Sequence, residues 1–75
     1  MEIPLIELED GREGKIVRID GGFGFQRRAR NIGLREGKIV KKVASQPLCG
    51  PIVVEVDGRE ISIGRGMAMK IMVDV

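Results

Sequence analysis

Ile52-Val53-Val54-Glu55-Val56-Asp57-Gly58-Arg59-Glu60-Ile61-Ser62-Ile63 is the stretch that decides the fold class. Side chains of a strand alternate between two faces, so Ile52, Val54 and Val56 share one side. Asp57-Gly58 then favours a two-residue hairpin, whose turn needs positive φ at both central positions. Arg59 to Ile63 reads as the return strand, with Ile61 and Ile63 inward. A hairpin with a β-branched inner face predicts an all-β core.

Working outward, Gly64-Arg65-Gly66 breaks the pattern. Met67 to Lys70 fits one helical turn, and Ile71 to Val73 a closing strand. On the other side, Gly37 to Ala44 reads as a strand with imperfect alternation. Ile39 and Val43 share parity with Lys41, while Val40 falls opposite, and a bulge near Lys41-Lys42 would resolve this. Phe23 to Ile32 predicts a helix, with Phe25, Ala29 and Ile32 on the core face and Gln26, Arg27, Arg30 and Asn31 pointing away. Gly33 stands where a left-handed residue ends a helix, and Leu34 where a hydrophobic contact accompanies it. Lys15 to Asp20 reads as a strand, with Val17 and Ile19 on one face and Ile16 and Arg18 on the other. Leu5 and Leu8 fit one helical turn or an irregular segment on the core. The expected architecture is all-β, a small barrel or sandwich of about five strands, with one short α-helix between the first two.

The 75 residues make one domain, 1–75. There are eleven glycines, one cysteine and no histidine, tryptophan or tyrosine. A lone Cys49 excludes a disulfide framework. A structural zinc site takes four Cys/His ligands, and this chain offers one. Catalysis through a histidine base is excluded, and the residues form no catalytic constellation, so the expectation is that the protein is not an enzyme. No apolar run approaches the roughly 20 residues of a membrane span. Met1-Glu2-Ile3-Pro4 has neither a basic nor a long apolar region, so it does not read as a signal peptide. The expected location is the cytoplasm.

Charge is unevenly spread. Residues 1–13 hold five acids and one base, whereas residues 14–42 hold nine bases and two acids. Such a segment can attract nucleic acid, anionic lipid or an acidic protein face. It can equally be a solvated face that the acidic N-terminal segment folds back over.

Gly21-Gly22-Phe23-Gly24 lacks both Walker A spacing and the third glycine of a dinucleotide fingerprint, so it reads as a tight strand-to-helix turn. Arg27, Arg28 and Arg30 surround one helix. Their planar forks suit carboxylate or phosphate, so they are a candidate partner-binding face, with a solvated helix back as the alternative. Pro47-Leu48-Cys49-Gly50-Pro51 is an apolar loop stiffened by two prolines. Leu48 either meets a partner with little loss of entropy or plugs the barrel end. Cys49 reads as a small loop side chain. Met67, Met69 and Met72 diverge on either a strand or a helix, so they read as packing.

The order of these pieces resembles one family. Pro4-Leu5 with Leu8, Gly11 and Gly14, Ile19-Asp20-Gly21-Gly22, Arg27-Arg28, Ile32-Gly33-Leu34 with Gly37, Pro47-Leu48 and Pro51-Ile52 together are similar to the FeoA proteins of ferrous iron transport. The resemblance covers essentially the whole chain. It implies a stand-alone SH3-like β-barrel and a non-enzymatic adaptor. The implied partner is the cytoplasmic region of the membrane ferrous iron transporter FeoB, which carries a GTPase domain. The chain would then reach the inner face of the membrane through its partner, without insertion. No cofactor and no protein-held metal is expected, because no ligand spacing occurs. A homo-oligomer stays open. The alternative function is a small nucleic-acid-binding β-barrel using segment 14–42. Only Phe23 and Phe25 could supply the stacking that such binding uses.

Overall fold

The computed structural model describes residues 1–46 and 50–75. It has six strands: β1 (Glu2–Pro4), β2 (Glu13–Ile19), β3 (Ile39–Ser45), β4 (Ile52–Val56), β5 (Arg59–Ile63) and β6 (Ile71–Asp74). A 3-10 turn (Leu5–Glu7) follows β1, helix α1 (Phe23–Asn31) lies between β2 and β3, and helix α2 (Arg65–Lys70) lies between β5 and β6. All pairs are antiparallel, in the order β1-β6-β2-β3-β4-β5.

Two expectations are corrected. Among the described residues there are six strands, not five, so the helix follows the second strand rather than the first. Glu2–Pro4 is too short to display alternation, and its proline argues against a strand unless that strand is at an edge. It is at an edge, paired with β6 alone. The sheet is also not closed by hydrogen bonds: among the described residues β1 and β5 form its two free edges.

The hairpin forms as read. Val56 pairs with Arg59, Ile52 with Ile63, and Asp57 and Gly58 have φ of 52° and 77°. Ile52, Val54 and Val56 are buried. One core gathers the inner faces of β2 to β6 with Leu5, Leu8, Ala29, Leu34 and Ala68, and Ile3, Phe25, Ile61 and Met67 pack at its border.

Bulges decide which residues face that core. In β2 the register shifts between Ile16 and Arg18. Gly14, Ile16 and Ile19 therefore point inward and Val17 is 39% exposed, so Ile16 and Ile19, expected on opposite faces, share the core face. In β3 the shift falls between Lys42 and Ala44, close to where the broken alternation put it. Before the shift, Val40 and Lys42 keep regular alternation and both face inward. Lys42 is 6% exposed, and its Nζ donates to the carbonyl of Ile6 at 2.9 Å. At buried Gly14 a side chain has little room, since a Cβ there would lie 3.1 Å from Val73 Cβ.

Helix α1 ends at the expected left-handed glycine, but one residue of its expected core face turns out. Gly33 has φ +101°, its N–H donates to Arg30 O at 3.0 Å, and the Leu34 N–H donates to Ala29 O at 2.9 Å. These two bonds form a Schellman cap. The cap reverses the chain and drives Leu34 fully into the core, whereas Ile32 is left 37% exposed. Ala29 is buried and Phe25 packs at the border as expected, but Ile32 does not. Gln26 also turns inward, donating through Nε2 to the carbonyls of Ile19 and Gly21. No helix among the described residues is long and apolar enough to cross a membrane.

Candidate functional site: a basic groove at the end of helix α1

The three arginines of α1 divide between two places. Arg27 lies over the Phe23 ring, 5.7 Å from its centroid, and Arg28 over Phe25 at 5.8 Å. Lys70 of α2 also reaches the Phe25 ring, at 5.0 Å. These spacings are helical neighbours, i to i+4 and i to i+3, and they hold two cations against aromatic faces.

Arg30, the third arginine, leans the other way. With Asn31, Gly33, Arg35, Lys38, Asp57 and Arg59 it lines a groove of about 320 Å³. Three elements build it. The Schellman cap carries Arg30 and Asn31 up to Gly33. The segment from Leu34 into β3 brings Arg35 and Lys38. The β4–β5 turn brings Asp57 and Arg59 beside them, because Val56 pairs with both Val40 and Arg59. Lys38 Nζ bonds Asp57 Oδ2 at 2.9 Å, tying β3 to the turn. Among the described residues no carboxylate lies within 4 Å of Arg30, Arg35 or Arg59. The groove therefore presents three uncommitted guanidinium groups beside one neutralised pair.

Gly50 and Pro51 lie away from this groove. Pro47, Leu48 and Cys49 fall outside the described residues. Gly50 is half-buried and Pro51 exposed, and the Pro51 carbonyl accepts from Gln46 N–H at 3.2 Å. The five residues of β4, six residue steps of extended chain, separate Pro51 from Asp57 by about 20 Å. Gly50 and Pro51 thus sit at the far end of the β3–β4 ladder from the groove. Beside them, Ser45 Oγ donates to Asp10 Oδ1 at 3.3 Å. Gly50 and Pro51 therefore do not adjoin the groove that Arg30 lines.

The acidic N-terminal segment pairs with only part of the basic one. Glu2 meets Arg18 at 2.6 Å, and Asp10 stands 3.9 Å from Lys42 Nζ. The Arg18 fork also bonds Asp20 at 2.7 Å, and this hydrogen bond lowers the Asp20 carboxyl below its ordinary value. The helix arginines receive none of this cover.

Sequence reasoning found Arg30 and missed its companions. Arg35 and Lys38 were counted only as charge, and Arg59 lies outside the basic segment. The available signal was the Asp57-Gly58 turn, which fixes Arg59 opposite Val56. Among the described residues no cluster of three or more acidic or cysteine side chains could hold a metal ion.

Comparison with known proteins agrees with this architecture. The chain is 38% identical over 71 residues to a putative Fe(2+) transport protein A of Methanocaldococcus jannaschii, spanning 95% of this chain and 84% of that one. It is 32% identical over 71 residues to an Fe(2+) transport protein A/Fe(2+) transporter FeoB fusion protein of Porphyromonas gingivalis, of which it spans only 8%. A crystal structure of an iron uptake regulatory protein, FeoA, superposes with a TM-score of 0.92 at 35% identity, covering 99% of this chain and 97% of that one. The FeoA domain model matches residues 3–75, and the chain belongs to the FeoA domain family.

Proposed function

We propose that this chain is a non-enzymatic accessory protein of ferrous iron uptake, acting as one domain that binds the cytoplasmic region of a FeoB-type transporter and modulates it. The observation that carries this reading is the fusion relative, in which the matching segment is part of one polypeptide with a Fe(2+) transporter FeoB. Linkage holds two modules at high effective concentration. A separate chain must reach the same association through its own surface. The candidate contacts are the α1 arginines, Arg27, Arg28 and Arg30, and the loop Pro47-Leu48-Cys49-Gly50-Pro51. The chain works in the cytoplasm and is recruited to the membrane by its partner, with the ferrous ion as the transporter's cargo.

The test immobilises the cytoplasmic region of a FeoB-type transporter and titrates the full chain. Saturable binding absent with an unrelated SH3-like barrel is the expected result. Equal signals from the two barrels would overturn the reading.

A further inference from the structure

We propose that the groove between the α1 cap and the β4–β5 turn is a carboxylate-reading cleft that takes an acidic segment of a partner protein. The proposal rests on the reading of the chain as a protein-binding module and adds the place and chemistry of contact. Charge complementarity carries it. Arg30, Arg35, Lys38 and Arg59 surround a cleft of about 320 Å³ whose one acid, Asp57, is held by Lys38 at 2.9 Å. Three guanidinium forks therefore point at no carboxylate of the described chain. Each fork can grip both oxygens of a carboxylate.

The surroundings select among anions. Nucleic acid would need aromatic platforms for its bases, and both phenylalanine rings belong to the opposite end of α1, under Arg27, Arg28 and Lys70. A compact phosphate is favoured at helix N-termini, where N–H groups converge. Here α1 presents its C-terminus, whose partial negative charge opposes any anion, so the guanidinium groups must supply the attraction; the carbonyls of Ala29 and Arg30 are already used by the cap. Separate carboxylates, each meeting its own guanidinium, fit the spread of Arg30, Arg35 and Arg59. Asn31 adds an amide donor on the same wall.

The experiment titrates octaglutamate into the isotopically labelled full chain at low salt and follows backbone amide shifts. Octaglutamine and a single-stranded oligonucleotide serve as comparison probes. Octaglutamate should shift the amides of residues 30–38 and 57–59 and leave the Pro51 side unmoved. Arg30→Gln with Arg35→Gln should weaken it about tenfold, whereas Arg27→Gln with Arg28→Gln, an equal loss of charge, should change it less than about twofold. Arg59→Gln alone is the second variant, should the first pair lose its fold. Equal weakening by both pairs, no octaglutamate binding, or tighter binding of the oligonucleotide through the same arginines would overturn the cleft. Retention of transporter binding by the Arg30/Arg35 pair would overturn it while leaving the adaptor reading intact.

Discussion

The guanidinium of Arg59 lies directly over Gly33: a Cβ added to that glycine would sit 3.3 Å from Arg59 Nη2. Gly33 thus serves twice. Its φ of +101° ends helix α1, and its bare α-carbon lets the β4–β5 turn close over the cap. Gly33→Ala should destabilise the fold by about 1–2 kcal/mol, the usual cost of forcing an L-residue into the left-handed region. The Arg59 fork is the far end of a flexible chain and can shift, so backbone strain dominates. A denaturant double-mutant cycle with Arg59→Ala should then give a coupling below about 0.5 kcal/mol. A larger coupling would mean that the contact with Arg59 holds the cap.

The same cap moves the energetic weight from Ile32 to Leu34. Leu34 is fully buried, so Leu34→Ala should cost about 2–5 kcal/mol. Ile32 is 37% exposed, and Ile32→Ala should cost less than about 1 kcal/mol. Parallel urea melts would decide between them. The reverse ranking would return Ile32 to the core.

These two residues show where the sequence was legible. Gly33 and the Asp57-Gly58 turn were readable because each needs a backbone conformation that few residues adopt. The β4–β5 hairpin was readable because nothing interrupts its alternation. Ile16 and Ile19 were put on opposite faces because a bulge changes parity, and a bulge depends on the partner strand's register, which a single strand's pattern does not contain; Lys42 shares parity with buried Val40 and was missed because it carries a charge. Glu2–Pro4 was missed because its pairing with β6 lies at the other end of the chain. The groove was half legible: Arg30 stood out on its helix, but Arg59 joins it only through tertiary pairing.

Lys42 offers a test of a buried cation. Its Nζ satisfies the Ile6 carbonyl at 2.9 Å, with Asp10 at 3.9 Å. Lys42→Ala should cost about 1–3 kcal/mol by stranding that carbonyl. Lys42→Met strands the same carbonyl but keeps the buried stem, so it should fall between Lys42→Ala and the parent. Asp10 is exposed, and Asp10→Asn should change stability by less than about 0.5 kcal/mol. Thermal melts of the three variants would establish this order. A strongly destabilised Asp10→Asn would make the ion pair, rather than the carbonyl bond, the important contact.

The Arg18–Asp20 pair predicts a modest acid sensitivity. The Arg18 hydrogen bond lowers the Asp20 pKa from its ordinary 3.8. A carboxyl with a depressed folded pKa contributes stability that is fully present above its unfolded pKa and is lost as pH falls through the folded one. Asp20 is solvent-exposed, so the effect is small and confined to pH below about 4. Carbon-detected titration of the Asp20 carboxyl should give a midpoint below 3.8, and Arg18→Gln should raise it. An unchanged midpoint in the variant would remove Arg18 as the cause.

The split between the helix arginines predicts that their contributions to partner binding also split. Arg27 is held over Phe23, while Arg30 faces the groove. If the transporter's cytoplasmic region docks on the groove, Arg30→Glu should slow association several-fold at low salt, because exposed charges act mainly through steering. The difference should shrink at about 1 M salt, where the Debye length falls to roughly 3 Å. Arg27→Glu should change the association rate less, and both variants should melt within about 0.5 kcal/mol of the parent. Surface plasmon resonance at the two salt concentrations reads both rates. A larger effect from Arg27→Glu would place the interface over Phe23 and the start of α1. Equal rates for parent and both variants would move it to the Gly50-Pro51 end, beyond the five residues of β4.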